Sequence, residues 1–541
     1  MKSVLADLGH GGTILALRAA GSCGEEGTML GSLAEVLPSS ANRYGDKRAL
    51  VVGDRSFSFT ELDALSSALA ASLVRLGVAP GDRVTLYAPN SWEWIVSYYG
   101  ALKTGAVINP VNVMLTPAEV VYVTKDCGAK ALIGSPEKVE PALRAGVSGL
   151  ETIVFGDEPI EGATRFAALI GDTVAFEPVR ADPAALSTIG YTSGTTGHPK
   201  GAMQSHRAVM LNGAMTAQMH LKSELDTVVT ALPCPHVYGN VVFNGALMYG
   251  LTLVLHPRFD AGEMLSSIET HRATMFEGVP TMYMYMLARP DFESFDLSSL
   301  ERCTVGGQTM PTVKMEEVVR RFGCPLIELW GMTELAGLGT TFPSNGPTKL
   351  GSIGVALPHV EARIADVDDA SKTMPRGDVG ELMIRGPIVM QGYYGNEDAT
   401  GEAIEPDGWL HSGDIASMDE EGAIFIVDRK NDMINTAGFK VFPAEVERVV
   451  AEHPSVAMVA VGSQPDEMKG EIAKAYVVLM PGAEADPDGI IALCREQLAA
   501  YKVPRSVQFV PDLPRTSTGK VMRRELKTFD AEVVAQARSS Q

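Results

Sequence analysis

The chain has 541 residues, 45% of them hydrophobic, and a formal net charge of −21. Such a length exceeds one core and predicts a large domain of several lobes with at least one smaller domain. The acidic balance excludes a nucleic-acid or anionic-lipid surface, both of which need basic patches, so any anionic ligand must be held by local groups.

In chain order, residues 1–30 form an N-terminal extension whose opening, "MKSVLADLGHGGTILALRAAGSC", faintly resembles an export signal. Asp7, His10 and Arg18 interrupt its apolar run, which argues against export. No stretch of 18 apolar residues occurs, so no membrane span is expected. From about residue 31 helices and strands alternate. "TELDALSSALAASLVRLG" reads as a core-facing helix capped by Thr60, with Leu62, Leu65, Leu69, Leu73 and Leu76 on one face and Gly77 at its end. "DRVTLYAP" reads as a strand, "SWEWIVSYYGALKTGA" as a helix and "VINPVN" as a strand. This alternation predicts an α/β fold with a largely parallel sheet and ligands at the carboxyl ends of its strands.

"YTSGTTGHPKGAM" (191–203) then combines glycine, small hydroxyl residues and Lys200. Such a loop suits a polyphosphate: glycine lets backbone N–H groups approach the anion, while hydroxyls and an ammonium complete the cradle. The Walker pattern fails, because five residues on from Gly194 stands Pro199 and Lys200 is followed by Gly201. The strand "LSTIGY" precedes the loop and a helix capped by Ser205 follows it. A mobile turn is the bland alternative. His236, in "LPCPHVYG", reads by itself as a structural histidine.

A second glycine-rich stretch places Gly306, Gly307 and Gln308 before a helix opened by Pro311 and closed by Gly323. "IELWGMTELAG" follows, where Trp330, Gly331, Thr333 and Glu334 offer a flat face, close backbone approach, a phosphate donor and a metal-binding carboxylate. Singly, Trp330 reads as core and Glu334 as a solvated acid at a helix start. Asp414 follows a Ser-Gly turn, where a carboxylate suits two ribose hydroxyls, or is an ordinary turn residue. Lys520 sits in the Gly/Ser/Thr loop of "PRTSTGKVMRREL" and, taken alone, is solvated surface. Six cysteines, Cys23, Cys127, Cys234, Cys303, Cys324 and Cys494, lack any CxxC or zinc-like spacing, which predicts reduced thiols in a cytoplasmic enzyme.

From about residue 31 to 530 the chain resembles the adenylate-forming superfamily of acyl-CoA synthetases, nonribosomal-peptide adenylation domains and beetle luciferases. "YTSGTTGHPKG", "WGMTE", "SGD", "DRKNDMI", "GFKVFPAEVE" and "PRTSTGK" occur in that family's order. The resemblance implies a multi-lobed N-terminal AMP-binding domain of mixed sheets and helices over residues 31–429. A small mobile α+β C-terminal domain would occupy 430–541, with the active site between the two. It further implies that a carboxylic acid attacks ATP to give acyl-AMP and pyrophosphate, and that a thiol then displaces AMP, with ATP, Mg²⁺ and CoA as cofactors.

By the same resemblance, Thr192, Ser193, Gly194, Thr195, Thr196, Gly197 and Lys200 hold the β- and γ-phosphates. Trp330, beside Gly331, covers adenine; Thr333 meets the α-phosphate, Glu334 binds Mg²⁺, and Asp414 and Arg429 hold the ribose. Lys520 bridges the substrate carboxylate and α-phosphate and is the leading catalytic candidate. His236 lines the carboxylate end of the acyl pocket, Gly307 and Gln308 border the site, Gly438 packs near the pantetheine tunnel, and Lys440 contacts a CoA phosphate. Two departures stand out: Asn431 where many relatives carry Asp or Lys at the domain pivot, and Gln308 where many have a small residue.

The stretches expected around the acyl pocket are rich in Val, Met, Phe, Tyr and Gly, with Glu277 and Glu334 their only acids and no Lys or Arg. They favour a monocarboxylic acid with an apolar tail, either a medium-to-long fatty acid or an aryl acid, and Met-rich lining adapts to several. The alternatives are an enzyme loading a carrier protein, a luciferase-like oxidoreductase and a catalytically silent homologue, which would have lost Lys520 or Glu334. A homodimer is the assembly entertained.

Overall fold

The computed structural model describes residues 31–156, 158–171, 174–192, 199–466, 468–514, 521–526 and 528–529. Its first long helix, Phe59–Arg75, buries Leu62, Leu69 and Leu73. The cap is Ser58, not Thr60: Ser58 Oγ accepts from the Glu61 amide at 3.1 Å while Glu61 Oε2 accepts from the Ser58 amide at 2.7 Å. This reciprocal pair satisfies two amides that a cap at Thr60 would leave open. Beyond Leu76, Gly77 takes a positive φ of 86°.

Two largely parallel sheets carry the large body. In a nine-stranded sheet, six neighbouring strands run parallel, in the order Leu326–Met332, Arg302–Val305, Met275–Gly278, Thr227–Thr230, Thr252–Leu255 and Arg48–Val52. Antiparallel strands close both edges. The central strands are buried along most of their length, as in parallel sheets covered on both faces. A seven-stranded sheet is parallel except for its last pair, Leu186–Thr192 with Lys200–Ser205. A strand, Lys200–Ser205, thus stands between residues 193–198, which lie outside the described residues, and the helix expected after them. That helix, His206–Met219, begins after the strand and is capped by Ser205.

A four-stranded antiparallel sheet (Glu361–Ala365, Gly380–Arg385, Leu410–Met418, Ile424–Arg429) leads to the small body. There the helices Pro443–Val450 and Pro487–Gln497 pack with a five-stranded sheet around Ile434, Val446, Val450, Val461, Ile490 and Cys494. Ile424 still belongs to the large body's buried cluster, whereas Ile434 belongs to the small one's. The five described cysteines are free and buried. Among the described residues no helix is long and apolar enough to cross a membrane.

Candidate active site

The strand Leu326–Met332 carries Trp330 to one wall of a cleft of about 290 Å³ between the two bodies. The buried Trp330 donates from Nε1 to Asp414 Oδ2 at 2.8 Å, and Arg429 Nε donates to Asp414 Oδ1 at 2.8 Å. Asp414 and Arg429 face each other across the antiparallel strands Leu410–Met418 and Ile424–Arg429. Asp414 thus lies inside a strand and not after a turn. Ladder pairing continues past it, while Gly413, at φ 70°, and the Ser412 hydroxyl, accepting from the Asp414 amide at 3.0 Å, absorb the local irregularity. Burial of this carboxylate is offset by charge-assisted hydrogen bonds. Gly331 is required by close approach, since a Cβ there would stand 2.1 Å from Gly337 O.

Six of the residues singled out from sequence, Gly307, Gln308, Trp330, Gly331, Asp414 and Arg429, line this cleft together. The small body contributes Ala444, Glu447, Val521 and Arg523, none of them singled out from sequence. Arg523 is a hub: Nη1 reaches Asp432 Oδ2 at 2.8 Å and Asp428 Oδ1 at 3.2 Å, while Nη2 and Nε hold Glu447 at 2.7 and 3.0 Å. It joins the strand end before Asn431, the short turn Lys430–Asp432 that contains Asn431, and the helix beyond. Lys520 lies outside the described residues, although its chain neighbour Val521 lines the cleft.

A second group adjoins through the same strand. Glu334, on the short turn Thr333–Leu335, is buried rather than solvated, and its Oε1 accepts from the Tyr393 hydroxyl at 2.7 Å. Gln204 Nε2 donates to Thr333 O at 2.8 Å. The Lys200 ammonium stands 5.4 Å from the Tyr393 ring centre, and Thr192 pairs with Lys200 across the hairpin. Burial and the Glu334 charge both raise the Tyr393 pKa, so its hydroxyl remains a donor. Ser193, Gly194, Thr195, Thr196 and Gly197 lie outside the described residues. Among the described residues no cluster of three His, Cys, Asp or Glu side chains is assembled. Mg²⁺ fits such a site, because it is commonly bound through one or two carboxylates plus substrate phosphates.

The remaining candidates lie apart from the cleft. His236 caps the helix Val237–Tyr249, its Nδ1 accepting from the Tyr238 amide at 3.2 Å. The residue is exposed, and desolvation by the surrounding protein lowers its pKa. Gly438 stands in a two-residue hairpin turn with Ala437, at φ 86° and 51°, as a type I′ turn requires. Lys440, on the following strand, pairs with Asp368 of the large body at 2.8 Å. Glu277 is neutralised by a lysine outside the pocket stretches: Lys222 Nζ meets it at 2.6 Å, both side chains being 1% exposed. A separate hollow of about 250 Å³ by Phe292, Arg321 and Phe322 holds none of these residues.

Glu328, another cleft residue that sequence reasoning passed over, accepts from the Gly351 amide at 2.7 Å. Burial pushes its carboxyl from the ordinary 4.5 up to about 7. Between those values the folded state keeps a proton that the unfolded state has released, so stability falls as pH rises through that window, by up to about 3 kcal/mol. Glu328→Gln removes this ionisation and is expected to gain stability over wild type progressively from pH 5 to 8. Paired thermal melts across that range check it; a pH-independent difference would refute the assignment.

The pattern of the AMP-binding enzyme family matches residues 37–394, and that of the AMP-binding enzyme C-terminal domain matches 445–520. The indoleacetate–CoA ligase of Aromatoleum aromaticum is 36% identical, with 92% of this chain and 98% of that protein covered. The long-chain-fatty-acid–CoA ligase of Bacillus subtilis is 32% identical, covering 93% and 95%. The crystal structure of the anthranilate CoA ligase AuaEII with anthranoyl-AMP superposes with a TM-score of 0.85 at 28% identity, covering 93% of this chain and 98% of that one. With both domain patterns in order along one mixed α/β fold, the chain belongs to the AMP-binding enzyme family, the adenylate-forming superfamily that includes the carboxylate–CoA ligases.

Proposed function

We propose that this ATP-dependent carboxylate–CoA ligase activates a monocarboxylic acid with an apolar tail, fatty or aryl, and does so in the cytoplasm. The observation that carries the site reading is the Trp330–Asp414–Arg429 linkage in a cleft beside the Lys200–Tyr393–Glu334 group. In this reading Trp330 walls the adenine, Asp414 and Arg429 hold the ribose, and Thr333 meets the α-phosphate. Thr192, Lys200 and the intervening loop hold the outer phosphates, and Glu334 takes Mg²⁺, which supplies neutralisation of phosphate charge. Lys520 holds the acid's carboxylate against the α-phosphate. His236 borders the carboxylate end of the acyl pocket. Gly438 and Lys440 serve CoA in the second step. The domains divide as 31–429 and 430–541, after an extension of 30 residues.

The apolar-tail reading is supported by the pairing of Glu277 with Lys222, whose buried ammonium is already engaged and offers no partner to a second substrate carboxylate. With the purified enzyme, ATP, Mg²⁺, CoA and a panel of acids, kcat/KM is expected to rise with tail length until the pocket fills. The gain reaches about 0.8 kcal/mol per buried methylene. Thioesters identified by mass provide the measurement. Preference for acetate or malonate over hexanoate, octanoate and cinnamate would overturn the substrate class, and release of AMP with none of the acids would overturn the activity.

A further inference from the structure

Tyr393 belongs to none of the motifs that mark the site, yet it touches two of them. Its hydroxyl donates to Glu334 Oε1 at 2.7 Å, and its ring lies under the Lys200 ammonium at 5.4 Å. The backbone that carries it is tied to both neighbours. Met203 N donates to Gly392 O at 2.9 Å, Gln391 N to Met203 O at 2.8 Å and Tyr394 N to Gly201 O at 2.8 Å, which lashes the segment to the strand that begins at Lys200. Met390 N donates to Glu334 O at 2.8 Å, which lashes it to the turn that carries the carboxylate. The Tyr393 amide itself donates to Thr400 Oγ1 at 2.9 Å. A side chain rooted in so many hydrogen bonds reaches its target from a fixed point.

Among the described residues no other hydrogen bond is made to the Glu334 carboxylate. We propose that Tyr393 is the positioning residue of the metal-bearing carboxylate: its hydroxyl holds Oε1 and leaves Oε2 for a divalent cation, while its ring steadies Lys200 beside the same phosphates. The inference rests on the reading of Glu334 as the Mg²⁺ carboxylate. A hydrogen bond from a neutral hydroxyl suits this purpose, since it orients the carboxylate without the neutralisation that a lysine or arginine would bring. Residues that orient a metal ligand in this way commonly govern metal affinity by one to two orders of magnitude.

The test measures binding rather than turnover. ATP is titrated against the protein by intrinsic fluorescence in EDTA and in saturating MgCl₂, and the ratio of the two dissociation constants gives the gain due to the metal. Tyr393→Phe keeps the ring under Lys200 and removes only the hydroxyl. It is expected to leave the EDTA value and the melting temperature unchanged and to lose most of the Mg²⁺ gain, roughly tenfold. Glu334→Gln is expected to lose at least as much, and the double variant no more than Glu334→Gln alone, because the two residues act as a unit. If Tyr393→Phe keeps the wild-type ratio while Glu334→Gln loses it, the positioning role is refuted and the metal carboxylate stands. If Glu334→Gln keeps the ratio, the metal reading itself is overturned, and the inference with it. Equal weakening of ATP binding by Tyr393→Phe in EDTA and in MgCl₂ would also refute the role, since a structural defect acts regardless of the metal.

Discussion

Replacing Arg523 by methionine is expected to loosen the small body from the large one by about 3 to 5 kcal/mol, the cost of leaving buried charges without their partner. Asp428, Asp432 and Glu447 all converge on that guanidinium, and Asp428 is buried. Methionine approximates the side chain's bulk, so the effect reports charge more than packing. Burial already raises the Asp428 pKa and Arg523 opposes the rise, so the variant's carboxyl is raised further. A carboxyl whose folded pKa exceeds its unfolded value loses stability as pH climbs from the unfolded pKa toward the folded one, and the variant extends that window upward. Its deficit should therefore be smaller at pH 5 than at pH 8. Calorimetry should resolve a small-body transition that moves to lower temperature and recovers in part on acidification. Adding Asp428→Asn and Glu447→Gln should restore much of the loss, and a deficit independent of pH would contradict the electrostatic account.

Asp414→Ala is expected to weaken ATP binding by roughly 100-fold, on the basis of about 1.5 to 3 kcal/mol for each hydrogen bond to a charged group. One carboxylate anchors both the indole of Trp330 and the guanidinium of Arg429, so its removal disturbs the proposed base wall and ribose neighbourhood together. Asp414→Asn retains an oxygen for the indole but no charge for Arg429, and should fall between, at roughly tenfold. Equilibrium titration with ATP separates the three proteins. An Asp414→Ala variant within threefold of wild type would remove Asp414 from the nucleotide site.

Short-range signals were the legible ones. Ser205 reads as a cap because a hydroxyl residue precedes a helical pattern, and "DRVTLYAP" reads as a strand because its apolar residues cluster between turn residues. At the helix Phe59–Arg75 the sequence points to Thr60, whereas the decisive clue, Glu61 three places after Ser58, belongs to a reciprocal pattern rather than to either residue alone. The strand Lys200–Ser205 has almost no intrinsic strand preference; its pairing is imposed by Leu186–Thr192 on one side and by the segment before Tyr394 on the other. Motif residues with a preset spacing, such as Trp330 and Gly331, were found in the cleft. Tyr393 stands 59 positions from Glu334 and Lys222 stands 55 from Glu277, separations that carry no local signal. Only the tertiary fold discloses such pairs.

The guanidinium hub has a consequence for the order of events during synthesis. Arg523 is made 95 residues after Asp428. At about 5 to 20 residues per second, the acidic side chains emerge on the order of 5 to 20 s before their cation does. Until it arrives, Asp428, Asp432 and Glu447 lack the guanidinium on which all three converge in the finished fold, so the linkage between the strand Ile424–Arg429 and the helix Pro443–Val450 is completed only once residue 523 has been made.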